Sequence, residues 1–230
     1  MIAVAAILAS ERQDGGMQRA DHGEDATSGA PITPPAPGST LSGQDWDRAE
    51  LTDLEFERIT FVDLDLTGAV TSRTRFVECT FRGASLSGSE HTDSAFVNCR
   101  FIRTSFFGAT FTRCKLLGSQ FDRCRFQTIT IEGGDWSFVG LPGADLRKAT
   151  LTGVRMREAD LTAARLEQAT LREVDLSRAI LERAKLDDAD LRGSDLSAID
   201  PLTVSLVGAR ISIDQAVQLA QSLGLDVRLE

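Results

Sequence analysis

The sequence predicts an all-β solenoid, a chain wound into stacked short coils, and two observations support this prediction. The first is a repeat of five residues: of 34 positions from Trp46 to Ile211, all but Thr71, His91 and Pro201 hold a large apolar residue. The second is that no Asp, Glu, Lys or Arg stands at these central positions, or two places before them, where small residues prevail. Repeats whose units bury their apolar side chains against neighbouring units are typical of solenoids.

A period of five fits neither a helix nor a flat strand. On an α-helix, residues five apart are rotated by about 140°, and in a flat strand they would alternate between two faces. The pattern is satisfied if each pentad is a short extended side followed by a turn. The central residue and the residue two before it then point inward, and the other three point outward. Glycine recurs at the second place after the centre, where a corner needs a permissive backbone.

Four cysteines belong to the inner series of small residues: Cys79, Cys99, Cys114 and Cys124. A metal site or disulfide bonds are one interpretation. Ala and Ser fill the same positions in other pentads, however, so we expect small buried thiols. Free thiols are consistent with a reducing cytoplasm, where we expect the protein to be located.

His91 takes a central position, and we expect it to lie one coil above Thr71. It could shuttle protons, but a hydrogen-bonded replacement for phenylalanine in a polar core pair is the favoured interpretation. The sequence has no phosphate-binding loop, nucleophile elbow or Cys/His metal spacing, and side chains would fill the interior. We therefore predict a protein that is not an enzyme and that holds no cofactor or metal.

The repeat resembles that of the pentapeptide-repeat proteins, whose consensus Ala-(Asp/Asn)-Leu appears at residues 144–146, 159–161 and 189–191. This resemblance implies a right-handed quadrilateral parallel β-helix over residues 45–211, with four pentads in each coil. It would contain about eight and a half coils and, at a strand spacing of about 4.8 Å, would be roughly 40 Å long.

Several stretches resemble the quinolone-resistance members of that family, those of mycobacteria most closely and the plasmid-borne ones more distantly. The unbroken register lacks the projecting loops of many plasmid-borne members, which favours the mycobacterial type. This resemblance implies a DNA mimic that occupies the DNA-binding surface of DNA gyrase, inhibits it and opposes fluoroquinolones. The stretches are residues 89–91, 94–99, 110–111 with 114, 117–119 with 121 and 124–125, and residues 190–193, 205–210 and 214–216.

The segment before the repeat, residues 1–44, is predicted to be a disordered N-terminal extension, because residues 17–44 are rich in Gly, Ser, Ala and Pro. The net charge of −9 argues against direct binding of nucleic acid or of an anionic membrane. No apolar run approaches the roughly 20 residues that a membrane span requires.

Residues 212–230 are predicted to form a capping helix and a dimerisation tail. Ser212 and Gln215 have the spacing of a capping box, and Gly224 is placed to end the helix. The tail alternates in the manner of a strand, so two antiparallel copies about Val227 would set Asp226 opposite Arg228 of the other copy, as two-fold symmetry requires. The alternative is that the tail packs on its own coil. The predicted apolar helix face is Ala216, Val217, Ala220 and Leu223, and the predicted dimer contacts are Val217, Ala220, Leu223, Leu225, Asp226, Val227, Arg228 and Leu229.

Acidic residues gather toward both ends of the predicted rod. We expect the acids between residues 187 and 200 to face a protein partner and to form a central acidic belt in a homodimer. The alternative function is that of an immunity or scaffold protein with a different partner, since a fold names no target. An acyltransferase built on a β-helix would show a period of six, which this chain lacks. The predicted belt comprises Asp187, Asp188, Asp190, Asp195 and Asp200.

Overall fold

The structure, a computed structural model, describes residues 32–228. Predictions for residues 1–31, and for Leu229 and Glu230, lie outside the described residues. Residues 32–228 form fifteen strands of three residues each and one helix. They are β1 Thr40–Ser42, β2 Glu50–Thr52, β3 Glu55–Glu57, β4 Thr60–Val62, β5 Val70–Ser72, β6 Arg75–Val77, β7 Thr80–Arg82, β8 Glu90–Thr92, β9 Ala95–Val97, β10 Arg100–Ile102, β11 Thr110–Thr112, β12 Gln120–Asp122, β13 Thr130–Glu132, β14 Thr150–Thr152, β15 Thr170–Arg172 and α1 Ile213–Ser222.

All strand pairs are parallel and offset by twenty residues, which confirms four pentads in each coil. The first face is the sheet β1-β4-β7-β10-β12, the third face is the seven-stranded sheet from β2 to β15, and the fourth face begins with β3-β6-β9. The second face is held by isolated bridges such as Asp45 to Asp65 and Ser105 to Arg125. The same offset extends from the pairing of Thr40 with Thr60 to that of Asp190 with Arg210.

The repeat begins earlier than the sequence boundary at residue 45. Leu41 lies opposite Phe61 within the pair β1 and β4, so Thr40–Ser42 belongs to the first described coil rather than to the extension. The physical reason is that Leu41 stands five residues before Trp46 and supplies one more apolar centre.

Aromatic side chains fill the interior of the N-terminal half. Equivalent phenylalanines of successive coils stack with ring centroids 4.8 Å apart for Phe56 and Phe76, and 4.8 Å apart for Phe81 and Phe101. Such offset stacks bury large apolar areas and add a favourable ring–ring interaction. The predicted inward centres are therefore confirmed, and leucines take over this position in the C-terminal half.

The corners of the coil use a left-handed backbone at the second place after the centre. Glycine occupies several corners, as predicted, but 21 non-glycine residues of the described segment also have positive φ, among them Arg103 at 52° and Asp188 at 57°. Their amides donate to the next coil, as Arg103 N does to Asp122 O at 2.9 Å, and this bond helps to offset the strain of the conformation. Non-glycine corners therefore carry side chains along the edges of the rod.

The predicted polar pair of Thr71 and His91 is confirmed within the core. The His91 Nδ1 atom lies 2.8 Å from Thr71 Oγ1, and its Nε2 atom lies 2.8 Å from Ser89 Oγ. The imidazole is also stacked on Phe111, with ring centroids 4.5 Å apart. Burial lowers the pKa of His91 to about 3, so the ring is neutral at pH 7.

The four cysteines are free thiols, and Cys79, Cys99 and Cys114 are buried while Cys124 is half-buried. The Cys114 thiol donates to the carbonyl oxygen of His91 at 3.3 Å. Burial raises the pKa of Cys114 to about 11 and that of Cys124 to about 12. The prediction of small inner thiols is confirmed, and these two are protonated at neutral pH.

Helix α1 closes the C-terminal coil in a way that differs from the predicted apolar face. The Ser212 and Gln215 capping box is present, but Ala216 and Leu223 are exposed. The helix docks instead through Gln215, whose Nε2 donates to the carbonyl oxygens of Leu191 and Ser194 at 2.7 Å each. The reason is that the terminal coil presents unpaired carbonyl groups, which a buried amide satisfies and an alanine does not.

The tail after α1 is irregular in this single chain. Gly224 adopts φ +80° and ends the helix as predicted, but Leu225 to Arg228 form no strand. Arg228 pairs with Asp226 of its own chain, with 2.6 Å between Nη2 and Oδ2. Within residues 32–228, α1 is the sole helix, and no helix is long and apolar enough to cross a membrane.

Candidate partner-binding surfaces

Ion pairs between coils neutralise many surface charges. At one edge of the third face, Arg73 binds Asp53 through two contacts of 2.7 Å, and Arg113 binds Asp93 at 2.7 and 2.8 Å. The hydrogen bonds from Arg73 and Arg113 hold the pKa values of Asp53 and Asp93 below the ordinary value. Such acids are already occupied, so the charges available to a partner are those without an ion pair.

Acids without an ion pair are separated along the rod. Within residues 32–228 they occur up to Glu90 and again from Glu132, with none in between. This distribution refines the expectation that acidity gathers toward both ends. The unpaired acids are Asp45, Glu50, Asp63, Asp65, Glu78 and Glu90 on one side, and Glu132, Asp160, Glu173, Asp187, Asp188, Asp195, Asp200 and Asp214 on the other.

The five acids of the predicted belt surround the rod rather than forming one patch. Asp187 and Asp188 lie at the end of the second face, and Asp190 is bridged to Thr170 and Arg210 on the third face. Asp195 is bridged to Asp175 on the fourth face, and Asp200 follows where the chain turns back toward the first face. No flat partner surface could contact all five at once.

Two of these acids are held by neighbouring groups. Asp190 accepts hydrogen bonds from Arg192 Nε and Nη2 at 2.8 and 2.7 Å. The hydrogen bond from Arg192 lowers the pKa of Asp190 to about 2, and only 12% of the Asp190 side chain is exposed. Asp187 accepts from the Ser205 hydroxyl and from the amide of Val207. Both carboxylates stabilise the coil, since the chain itself engages both oxygens of Asp190 and the Oδ1 oxygen of Asp187.

The other three belt acids keep more of their carboxylates available. Asp195 accepts from the amide of Ser197 at 2.8 Å, and Asp200 accepts from that of Leu202 at 2.9 Å, each through one oxygen. Asp188 is exposed at a corner, and although its amide donates to Val207 O at 2.8 Å, its carboxylate has no hydrogen bond or ion pair within residues 32–228. These three therefore form the accessible part of the predicted belt.

The C-terminal end also exposes apolar side chains. Leu225 is 59% exposed and Val227 is 39% exposed, while Val217 and Ala220 are half-buried on α1. Leu202, Val207 and Ile213 add further exposed apolar area at this end. An apolar surface of this kind is typical of a contact with another protein.

The sequence prediction missed a group of arginines on the first face and along its edge with the second face. We define this arginine edge as Arg82, Arg100, Arg103, Arg123 and Arg125. A sequence signal existed, since Arg103 and Arg123 are twenty residues apart and basic residues outnumber acids over residues 79–144. Which of these arginines lack an ion pair, however, depends on side-chain contacts between coils, and the sequence alone does not give those contacts.

Comparison with known families supports the repeat assignment. The profile of the family described as pentapeptide repeats matches residues 60–90, 92–127, 140–168 and 159–197, with eight copies. These segments lie within the coils of the structure and cover more than half of the chain.

Curated relatives match part of the chain. The pentapeptide repeat protein MfpA of Mycobacterium tuberculosis is 45% identical over 58 residues, which are 25% of this chain and 32% of that protein. MfpA of Mycolicibacterium smegmatis is 43% identical over 65 residues, 28% of this chain and 34% of that protein. The chain thus spans about a third of the length of the curated relatives it matches.

Solved structures match over a longer span. Trypsin-treated QnrB1, a plasmid-mediated fluoroquinolone resistance protein, is 25% identical and has a TM-score of 0.62, covering 83% of this chain and 100% of that one. HetL, a pentapeptide repeat protein involved in the regulation of heterocyst differentiation in the cyanobacterium Nostoc, is also 25% identical, with a TM-score of 0.51 and coverage of 75% and 81%. By its coils, its repeat profile and these relatives, the chain belongs to the pentapeptide-repeat family.

Proposed function

We propose that this protein binds DNA gyrase in the cytoplasm as a mimic of DNA, inhibits the enzyme and protects it from fluoroquinolones. The observation that carries the proposal is the match along the whole chain of trypsin-treated QnrB1, a fluoroquinolone resistance protein. The local identity to MfpA and the rod-shaped fold support it further.

A binding role suits the distribution of charge and of packing. The interior of the coil is filled by side chains, so the outer surface carries the function that we propose. Unpaired acids toward both ends would steer the rod into a basic DNA-binding groove. DNA carries one charge per about 1.7 Å of axis, a density that this rod does not approach. The mimicry therefore depends on shape and on a few placed carboxylates.

The active form in this proposal is a homodimer joined at the C-terminal ends. The exposed Leu223, Leu225 and Val227 would be covered by the partner copy. Arg228, which pairs with Asp226 of its own chain here, would exchange this contact for Asp226 of the other copy. Two rods joined in this way would be roughly 80 Å long at a strand spacing of about 4.8 Å, with the two acidic belts at the centre.

Truncation after Gly224 is expected to produce a monomer, because it removes the predicted pairing segment and its apolar side chains. Sedimentation equilibrium of the full chain and of the truncated chain measures this directly. A suitable control is Phe107→Ser, which removes an exposed apolar side chain from the middle of the rod and should leave a dimer. A truncated chain that still sediments as a dimer contradicts the assignment.

Reversing the accessible belt acids is expected to weaken inhibition of gyrase supercoiling by roughly tenfold or more, since several unfavourable contacts replace attractive ones. The variant carries Asp188→Lys, Asp195→Lys and Asp200→Lys. Lysine is tolerated at the left-handed corner, as Lys148 shows with φ +60°.

The matched control for this assay carries Glu132→Lys, Asp160→Lys and Glu173→Lys, which change the net charge equally at unpaired acids outside the belt. Its inhibition should remain within a few-fold of that of the wild type. Both variants should retain the oligomeric state of the wild type. Equal inhibition by the belt variant and the wild type would refute the role of the belt.

A second candidate is a regulatory scaffold that binds a partner other than gyrase. The similarity to HetL, which is involved in differentiation regulation, favours this alternative because it shows that the same coil serves other tasks. Purified protein that leaves gyrase supercoiling unchanged would select it.

A further inference from the structure

Arginine is ion-paired nearly everywhere on the described rod, and the exceptions are clustered. Within residues 32–228, fifteen arginines contact a carboxylate within 4.0 Å and five do not. Four of these five, Arg82, Arg100, Arg103 and Arg125, belong to the arginine edge. The fifth, Arg210, lies near the C-terminal end.

The arginine edge is continuous over neighbouring coils. Arg82 is aligned with Ile102 on the first face, and Arg103 follows Ile102 at the corner. Arg123 stands at the same corner one coil further, and Arg125 begins the adjacent side, bridged to Ser105. The one carboxylate paired within the group is Asp122, which lies 3.1 Å from Arg123.

Three of the unpaired arginines, Arg100, Arg103 and Arg125, lie where the rod has no unpaired acid. The described acids without an ion pair stop at Glu90 and resume at Glu132, and most of the arginine edge falls within that gap. Uncompensated charges of like sign repel one another, so an anion that enters among them gains free energy. Guanidinium groups bind carboxylates through paired hydrogen bonds, which makes arginine the suited residue for an acidic partner.

A cleft with both polar and apolar walls adjoins the edge. Its volume is about 630 Å³, and Arg100, Ile102 and Pro142 are among its lining residues. Two carboxylates also line it, but Asp122 is paired with Arg123 and Asp145 with Arg147. On the next coil the cleft is lined by the small residues Pro142, Gly143 and Ala144, and no atom lies within 4 Å of a Cβ added at Gly143.

The packing beneath the cleft is correspondingly thinner. Phe121, which lines the cleft, is 7% exposed, whereas the equivalent Phe101 of the preceding coil is fully buried at 0%. Unpaired positive charge and an accessible, partly apolar recess therefore meet at one place on the surface.

We propose that the arginine edge and its cleft bind an acidic peptide segment of a protein partner, with one apolar side chain of that segment entering the cleft. A short peptide fits within the few coils that the arginines span. A long nucleic acid would extend over the unpaired acids on either side and be repelled by a chain of net charge −9. This inference concerns a surface distinct from the acidic belt and does not depend on gyrase being the partner.

The test is fluorescence anisotropy with a labelled peptide that is rich in Asp and Glu and has one central Phe. The full chain should bind it at physiological salt, and the variant Arg100→Glu, Arg103→Glu, Arg125→Glu should bind roughly tenfold or more weakly, since each lost surface pair costs up to about a factor of five. Glutamate suits the corner at residue 103, because Glu158 occupies the same kind of corner with φ +54°.

The matched control carries Lys115→Glu, Lys148→Glu and Lys185→Glu, three cations that also lack an ion pair within residues 32–228 but lie off the arginine edge. It changes net charge equally and should bind the peptide within about twofold of the wild type. Equal weakening by both variants, no binding by the full chain, or tighter binding of duplex DNA than of the peptide would overturn the proposal.

A second variant tests the cleft. Gly143→Gln adds a neutral side chain at a corner where no atom lies within 4 Å of the new Cβ, and Gln168 adopts φ +60° at an equivalent corner. The full chain should prefer the Phe peptide over the same peptide with Phe→Ala, and Gly143→Gln should remove that preference. An unchanged preference would show that the cleft does not hold the apolar side chain.

Discussion

Replacing Phe101 with alanine is expected to lower the free energy of unfolding by about 3–5 kcal/mol. Phe101 is fully buried and stacks between Phe81 at 4.8 Å and Phe121 at 4.9 Å. It also meets Phe106 edge-on, with ring centroids 5.2 Å apart. Loss of this ring leaves a cavity in the interior of the solenoid, because the backbone of the stacked coils cannot collapse to fill it.

The effect should be large because each coil is stabilised mainly by its two neighbours. Equilibrium unfolding in guanidinium chloride, followed by circular dichroism, measures the difference. Phe107→Ala is the matched control: this ring points outward and is 56% exposed, so the change should stay within about 0.5 kcal/mol. Equal losses for Phe101 and Phe107 would contradict the inward and outward assignment of the pentad.

Acidification is expected to destabilise the wild type more than the variant His91→Phe. Burial holds the pKa of His91 at about 3 in the folded chain, whereas an unfolded histidine has a pKa of about 6.5. Between these values the unfolded state binds a proton that the folded state does not. The stability contributed by neutral His91 is therefore complete above about pH 6.5 and is lost as the pH falls toward 3.

From pH 7 to pH 4.5, this linkage should cost about 2–3 kcal/mol of unfolding free energy. Phenylalanine is a suitable replacement because the neighbouring hydroxyls keep other acceptors: Thr71 donates to Ser94 Oγ at 3.1 Å, and Ser89 donates to Leu86 O at 2.7 Å. Denaturation curves of both chains at both pH values give the difference. Equal acid sensitivity in wild type and His91→Phe would show that His91 is protonated while folded.

The interior of the fold could be predicted from the sequence because its constraint is local and repeated. Each pentad must bury its central residue, so the period alone identifies Phe96 or Leu161 as inward. The pairing of His91 with Thr71 followed from the offset of twenty residues. The resemblance to the pentapeptide-repeat family predicted that each coil has four sides.

The outer surface was less predictable because its contacts depend on side-chain conformations between coils. The sequence marked Asp190 and Asp187 as partner-facing, yet Arg192, Ser205 and the amide of Val207 engage their oxygens. The arginine edge became visible only once the ion pairs of other arginines were known. The sequence predicts Gln215 as a capping residue. Its hydrogen bonds to the terminal coil could not be predicted, because they depend on where that coil lies.

The central functional proposal is that this rod competes with DNA for gyrase. Anisotropy of a labelled DNA duplex bound to purified gyrase, titrated with the full chain, tests it most directly. The proposal predicts that the duplex is displaced, and that the variant with Asp188, Asp195 and Asp200 changed to lysine displaces it far less. A duplex that stays bound at saturating concentrations of the protein would contradict the proposal.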